Sequence, residues 1–207
     1  MIKYETFYVG PMDACSYLVY DDGGEEAVVI DAGGGYSTVS KCAHALNKKI
    51  CAVLLTHGHF DHTLGAAEYQ MAGIPVGIST ADEHMLAVHR DNLARMFGLP
   101  YTPISADFTF RGGDVLTYGK LSFKVILTPG HTIGSCCFLC DNVCFSGDTL
   151  FCESVGRTDF PTGSREDMIR SVKKLFALIG DYQVYPGHDE FTTLGRERKY
   201  NVMAEYD

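Results

Sequence analysis

Three imidazoles and a carboxylate fall within the segment Thr56-His57-Gly58-His59-Phe60-Asp61-His62, directly after the apolar run Cys51-Ala52-Val53-Leu54-Leu55. Imidazole and carboxylate are ligands that divalent zinc, iron and manganese all accept. On an extended segment His57 and His59 point the same way. Asp61 and His62 follow where the chain turns toward a predicted helix at Leu64-Gly65-Ala66-Ala67-Glu68-Tyr69. One segment can therefore address two neighbouring points in space, which suggests two metal ions. Taken alone, the run could be a histidine-rich surface loop.

Three further candidates repeat one local pattern. Lys124-Val125-Ile126-Leu127 leads through Thr128-Pro129-Gly130 to His131; Val143-Cys144-Phe145 leads through Ser146-Gly147 to Asp148; Gln183-Val184-Tyr185 leads through Pro186-Gly187 to His188. Each is a short β-prone run, a turn, and a potential ligand. A lone histidine of this kind is usually core, and a lone Asp after Gly is usually a turn or cap. Repetition of the pattern favours a site just beyond the carboxyl ends of strands. Two cations about 3.5–4 Å apart share a water whose pKa falls from about 15.7 toward about 7, and they stabilise an oxyanion on a substrate carbonyl. Asp61 could orient or accept the solvent proton as well as bind metal. No remaining histidine is assigned as a general acid, which favours a leaving group that departs unaided. A thiolate does so, from a thiol of pKa about 8.5; an amine does not.

The elements that must position these groups form two βα halves. Strands are predicted near Tyr4–Val9, Ser16–Tyr20 and Ala27–Ile30, then at Cys51–Leu55 and Ile74–Ile78. A first helix is expected over Thr38–Lys49, with Val39, Cys42 and Leu46 on one face. Thr80-Ala81-Asp82-Glu83 has capping-box form and predicts a helix running toward Met96. Phe97–Ser105 reads as a loop or lid, and Asp114–Phe145 as hairpins. Arg165–Ile179 reads as a helix with Ile169, Val172, Leu175, Phe176 and Ile179 on its apolar face and Gly180 as its stop. Asp31, after Val28-Val29-Ile30, stands at a strand end on the same edge. It could hydrogen-bond a ligand imidazole or the metal loop, or be a turn residue before Gly33-Gly34-Gly35.

Composition narrows the class. The 207 residues are 46% apolar with a net charge of −9, and the pI is about 5.3, as for one domain over residues 1–207. The longest basic stretch is Arg196-Glu197-Arg198-Lys199, so nucleic acid is not an expected partner. No apolar run approaches the ~18 residues of a membrane span, and Met1-Ile2-Lys3-Tyr4-Glu5-Thr6 has no signal core; a cytoplasmic protein is expected. The eight cysteines fit that compartment as free thiols. Cys136, Cys137, Cys140 and Cys144 are irregularly spaced around an Asp141-Asn142 hairpin turn and read as small buried hydrophobes rather than a zinc knuckle. Cys15 falls in a candidate turn. His44, His84 and His89 read as ordinary helix positions. The glycine triplet lacks nucleotide-binding spacing, and no G-x-S-x-G elbow exists.

The ordered set His57-x-His59-x-Asp61-His62, His131, Asp148 and His188 resembles the metallo-β-lactamase superfamily, over a span from Val28-Val29-Ile30-Asp31-Ala32-Gly33 to Pro186-Gly187-His188. The resemblance implies an α/β fold, an αββα sandwich with a dinuclear site at one edge. It implies that His57, His59 and His131 hold one metal, that Asp61, His62 and His188 hold the other, and that Asp148 bridges them. Two divalent ions are expected, zinc first, with iron or manganese as alternatives. A bridging Asp148 is unlike the family's β-lactamases, which lack that carboxylate, and like its glyoxalase II, lactonase and persulfide dioxygenase branches. Ser154-Val155-Gly156-Arg157-Thr158-Asp159-Phe160-Pro161-Thr162-Gly163 is similar to a stretch in glyoxalase II-like and persulfide dioxygenase-like proteins, closest to the short bacterial glyoxalase II-like enzymes. Arg157 and Asp159 are either substrate residues or an ion pair that buttresses the loop.

The expected activity is metal-dependent hydrolysis of a small thioester, as in glyoxalase II. A mononuclear iron persulfide dioxygenase using His57, His131 and Asp148, a lactonase or other ester hydrolase, and a non-catalytic metal-binding protein are the other readings. Long glyoxalase II enzymes carry a C-terminal helical domain that supplies much of the glutathione-binding surface. Here 19 residues follow His188, room for one helix, so the thiol carrier stays open.

Overall fold

The computed structural model describes residues 2–88 and 90–205. One six-stranded sheet has the order β1 (Ile2–Val9), β2 (Ala14–Asp21), β3 (Glu26–Ile30), β4 (Lys49–Leu54), β5 (Val76–Ser79), β6 (Phe108–Phe110). Strands β1 to β3 are antiparallel neighbours, and β3 to β6 run parallel. The second sheet brings in β7 (Val115–Tyr118), β8 (Leu121–Leu127), β9 (Cys136–Cys140) and β10 (Val143–Gly147). A small hairpin, β11 (Leu150–Phe151) with β12 (Ser154–Val155), stands apart. With β13 (Gln183–Pro186) and β14 (Thr192–Thr193), the second sheet has the order β14-β13-β10-β9-β8-β7. β10 and β13 are parallel; the other pairs in this sheet are antiparallel.

Alternation along the strands sorts side chains into three apolar layers. Tyr17, Val19, Val28, Ile30, Leu54 and Phe110 of the first sheet meet Phe123, Val125, Cys136, Phe138, Phe145 and Tyr185 of the second. The outer face of the first sheet is covered by α1 (Tyr36–Ala45) through Val39 and Ala43, and by α3 (Ala66–Met71) through Ala66 and Tyr69. The outer face of the second is covered by α4 (Arg165–Phe176) through Met168, Val172 and Leu175, and by α5 (Leu194–Tyr200) through Leu194. The result is an αββα sandwich. Successive cysteines of β9 serve both faces: Cys136 and Cys140 lie between the sheets, Cys137 under the helices. All eight are free, and among the described residues none joins a metal-sized cluster.

Several boundaries differ from the sequence expectation for identifiable reasons. The first helix starts at Tyr36 and ends at Ala45 rather than spanning Thr38–Lys49. Asn47 adopts φ 55, and the Lys48 and Asn47 N–H groups donate to the Ala43 and His44 carbonyls at 2.8 and 3.0 Å. That is a Schellman stop, and Asn tolerates its left-handed residue. The helix expected from Thr80 toward Met96 is one 3-10 turn, Glu83–Leu86. The Thr80 hydroxyl donates to the Phe110 carbonyl instead of capping, and the chain beyond is drawn onto the metal loop, where the Phe60 N–H donates to the Asn92 carbonyl. His89 lies outside the described residues. α4 ends at Phe176, so Ile179, assigned to its apolar face, is 96% exposed. Cys15 sits in strand β2, fully buried, not in a turn. No helix of the described residues is long and apolar enough to cross a membrane.

Phe138 is fully buried at the centre of the inter-sheet layer, its ring 5.5 Å from that of Phe110. Phe138→Ala should cost about 3–5 kcal/mol through lost transfer energy and the cavity left behind. Urea unfolding of the two proteins measures it; a difference under about 1 kcal/mol would show that the layer closes over the gap.

Candidate metal centre

Both sheets end at one edge, and the functional side chains stand on the loops there. β4 runs into Leu55-Thr56 and then His57 and His59. His59 is the N-cap residue of the short helix α2 (Phe60–Thr63), whose first turn carries Asp61 and His62. His131 follows β8, Asp148 follows β10 and His188 follows β13. All seven side chains meet in one cluster. His57, His59 and His131 form one group of metal-ligand spacing; Asp61, His62 and His188 form another; His57, His62 and Asp148 form a third that joins them.

The distances define the cluster. His59 Nδ1 lies 2.9 Å from His131 Nε2. His188 Nε2 lies 3.3 Å from His62 Nε2 and 3.3 Å from Asp61 Oδ2. Asp148 Oδ1 lies 3.4 Å from His62 Nε2, and its Oδ2 lies 3.4 Å from His131 Nε2 and 3.8 Å from His188 Nε2. His57 Nε2 and Asp148 Oδ1 are buried without any hydrogen-bond partner. Such atoms each cost about 1–3 kcal/mol unless something satisfies them. A divalent cation amid the ring nitrogens would do so, and the donor set, imidazole with carboxylate, suits zinc, iron or manganese.

An outer layer orients the rings. Asp31, at the end of β3 in the left-handed conformation (φ 58), turns its carboxylate under the metal loop. It accepts from the Thr56 N–H at 2.7 Å, the Thr56 hydroxyl at 2.8 Å and His62 Nδ1 at 2.9 Å. Because the Thr56 hydroxyl is spent on Asp31, its oxygen accepts from His57 Nδ1, 3.1 Å away. His131 Nδ1 donates to the Arg157 backbone carbonyl at 2.7 Å. These bonds place a proton on Nδ1 of His57, His62 and His131, and in the neutral His57 ring they leave the Nε2 lone pair facing the cluster. Thr56 and the Arg157 carbonyl were not singled out from the sequence; a threonine inside a histidine-rich segment and a main-chain oxygen carry no compositional signal.

Burial and mutual repulsion hold His57 and His59 neutral, well below the ordinary histidine value. Burial also pulls His62 down, but Asp148, Asp61 and Asp31 outweigh it and push the imidazole up to about 10. Burial pushes Asp61 up, and His62 with His188 overcomes this to hold its carboxyl well below the usual carboxylate range.

Over the cluster opens a pocket of ≈ 400 Å³ with His59, Asp61, His131, Asp148 and His188 at its base and Met12, Phe60, Leu93, Phe97, Phe151 and Phe160 on its walls. Arg157 lines the rim. Its guanidinium makes two bonds to Asp159, of 2.8 and 2.7 Å, and stacks 3.8 Å from the Phe160 ring centroid. Both partners are exposed. Of the expected lid, Phe97 lines the pocket, whereas Tyr101 is buried and bonded to Thr63. His44 and His84 are exposed and lie outside the cluster.

Comparison with known proteins agrees with this geometry. The family model of the metallo-beta-lactamase superfamily matches residues 9–188. The chain belongs to the metallo-β-lactamase superfamily. It is 35% identical to the hydroxyacylglutathione hydrolase GloC of Haemophilus influenzae, over 90% of each chain. Among solved structures it superposes on the BLEG-1 B3 metallo-beta-lactamase with a TM-score of 0.91 and 33% identity, covering 98% of this chain and 100% of that one. It matches TTHA1623, solved in a di-iron-bound form, with a TM-score of 0.84 and 31% identity, covering 96% and 98%. The chain is thus a metallo-hydrolase of this superfamily.

Asp31→Ala should destabilise the fold by at least about 2 kcal/mol, because the buried Thr56 N–H and hydroxyl and His62 Nδ1 lose the carboxylate they share. Denaturant midpoints of the metal-stripped proteins test this; equal midpoints would mean that water replaces the carboxylate.

Proposed function

We propose that this chain is a dinuclear metal-dependent thioester hydrolase of glyoxalase II type, acting on a small-molecule thioester. The observation that carries the reading is Asp148, whose two oxygens face both triads of the cluster. A mononuclear iron dioxygenase needs only two histidines and one carboxylate, which leaves the complete second triad, Asp61, His62 and His188, without a task. When bound, the metal pair supplies Lewis acidity and a water acidified toward neutral pH.

The chain's own groups do the rest. The Thr56 hydroxyl and the Arg157 carbonyl hold the Nδ1 protons of His57 and His131, which turns each Nε2 to the cluster, and burial keeps His57 and His59 neutral. Asp61 is ionised at neutral pH, so its Oδ2 accepts a hydrogen bond from water at the pocket base and orients it. A carboxyl this acidic does not keep the proton. The apolar walls exclude bulk water and strengthen polar interactions at the base. Among the described residues, every histidine lining the pocket belongs to the cluster. With no separate imidazole to protonate a leaving group, a thiolate is the group best suited to depart. Likeness to GloC supports the same substrate class.

Likeness to BLEG-1 favours a second reading, β-lactam hydrolysis. Against it stands Asp148, the carboxylate that the family's β-lactamases lack. The deciding experiment gives metal-replete protein S-lactoylglutathione, the same acyl group on a simpler thiol, a lactone, a β-lactam, and a persulfide with oxygen. The thioesters should have the highest kcat/KM. Changing the acyl group should move kcat, and changing the thiol should move chiefly KM if the thiol's contacts are equal in ground and transition states. Turnover of the β-lactam or the lactone alone, or oxygen uptake with persulfide alone, would replace the thioesterase reading.

Asp148→Ala should lower zinc content from about two ions per chain and reduce hydrolysis by more than about 100-fold, beyond the roughly 10–100-fold typical when only an outer partner of a ligand is removed. Elemental analysis with a thioester assay checks both. Two ions and full activity in the variant would overturn the shared carboxylate.

A further inference from the structure

Asp82 lies three residues beyond β5, and its side chain is wholly buried. It belongs to no ligand triad, yet it contacts two of the loops that build the cluster. Asp82 Oδ2 accepts from the Gly58 N–H at 3.1 Å, at the residue between His57 and His59. The same oxygen accepts from the Thr132 hydroxyl at 2.6 Å, next to His131. Asp82 Oδ1 accepts from the Gly134 N–H at 2.7 Å. Around these bonds the packing leaves no slack. A Cβ on Gly58 would lie 2.6 Å from Met85 Cβ, and one on Gly134 would lie 2.5 Å from Asp82 Oδ1. The Ser79 hydroxyl donates to the Gly134 carbonyl at 2.6 Å, so the His131 loop is gripped at both polar groups of one residue.

We propose that Asp82 is a positioning residue that ties the His57–His59 segment to the His131 loop and so sets the affinity of the three-histidine half of the centre. The proposal rests on the metal-centre reading above. It divides the outer layer by half: Asp31 grips Thr56 and His62 from β3, while Asp82 grips Gly58 and the His131 loop from β5. β4, which delivers the metal loop, lies between those two strands in the sheet. Among the described residues, Asp82 makes its hydrogen bonds to Gly58, Thr132 and Gly134 and none to Asp61, His62 or His188. Burial pushes its carboxyl above the ordinary carboxylate value, against the pull of the three bonds it accepts. A buried carboxylate with three donors converging from two loops behaves as a clamp, since each bond constrains a different main-chain segment.

The test is zinc retention by holoprotein against a rising concentration of a chromophoric chelator. Asp82→Asn keeps the volume and an acceptor for Gly134 but turns amide hydrogens toward the Gly58 N–H. It is compared with Asp82 in two backgrounds: His188→Ala, which retains the three-histidine half, and His59→Ala, which retains the other. Asp82→Asn should weaken zinc binding about 10–100-fold in the His188→Ala background and by less than about threefold in the His59→Ala background. Equal losses in both, as a merely structural role would give, overturn the proposal, and so does no loss in the first. If Asp82→Asn fails to fold by circular dichroism, Thr132→Val, which removes the 2.6 Å bond to Asp82 together with the 2.7 Å contact to Ser135 Oγ, is measured against the same outcomes. If neither background binds zinc while wild type holds two ions, the division into halves falls. If wild type holds none, the metal-centre reading itself fails.

Discussion

Buried imidazoles held within hydrogen-bonding distance of one another are the constraint on which this protein turns. Five histidines and two aspartates converge at one sheet edge, where His57 Nε2, His59 Nε2 and Asp148 Oδ1 are buried without a hydrogen-bond partner. Such a cluster cannot orient itself. Each ring has two nitrogens, and unless an outside acceptor takes one proton the lone pairs point nowhere in particular. The outer acceptors come from ordinary places: a strand-end carboxylate, a threonine hydroxyl relayed through that carboxylate, and a main-chain carbonyl. The sandwich earns its shape here. Parallel strands β3, β4 and β5 end side by side, so a carboxylate on either flank reaches the loop in the middle.

The seven cluster residues could be read from the sequence because chemistry marked them twice, by residue type and by a strand and turn before each. The outer layer was legible only in part. Asp31 stood at a recognisable strand end. Asp82 stood at one too, since Val76–Ser79 is a strand and Thr80-Ala81 the turn after it. The local capping box masked that pattern, because a helix signal and a strand-end signal overlap in the same four residues. Tertiary bonds won: the Thr80 hydroxyl went to β6, and the Asp82 carboxylate went to two loops. Asn47 misled in the opposite way, as a residue inside an apolar period whose left-handed tolerance ended α1 early. α4 and the hairpin at Asp141 were legible because their local signals are strong and unopposed, whereas the layer order came with the resemblance and α5 was foreseen only as room for one helix after His188.

The pocket adds a division of labour. Its base is polar and dense in ligand atoms, its walls are aromatic and aliphatic, and its one guanidinium is already doubly bonded to Asp159 and stacked on Phe160. An exposed pair of this kind contributes little to stability. It holds Phe160 over His59, whose ring lies edge-on to it at 5.8 Å. Arg157 thus serves the centre twice, through its carbonyl on His131 and through the aromatic ring that its side chain covers.

The cluster also ties the order of assembly to metal. Its seven side chains come from both sheets and run in sequence from His57 to His188, with the whole hairpin region between them. The first four can gather on one loop as soon as β4 is paired, but neither triad closes until the second sheet has docked. Loop closure over such distances is slow, and an ion that binds the docked state alone draws the equilibrium toward it by mass action. In a metal-poor environment the two sheets would lack a cross-link that no disulfide replaces, so a cation held by the cluster would also act as the last fastener of the sandwich.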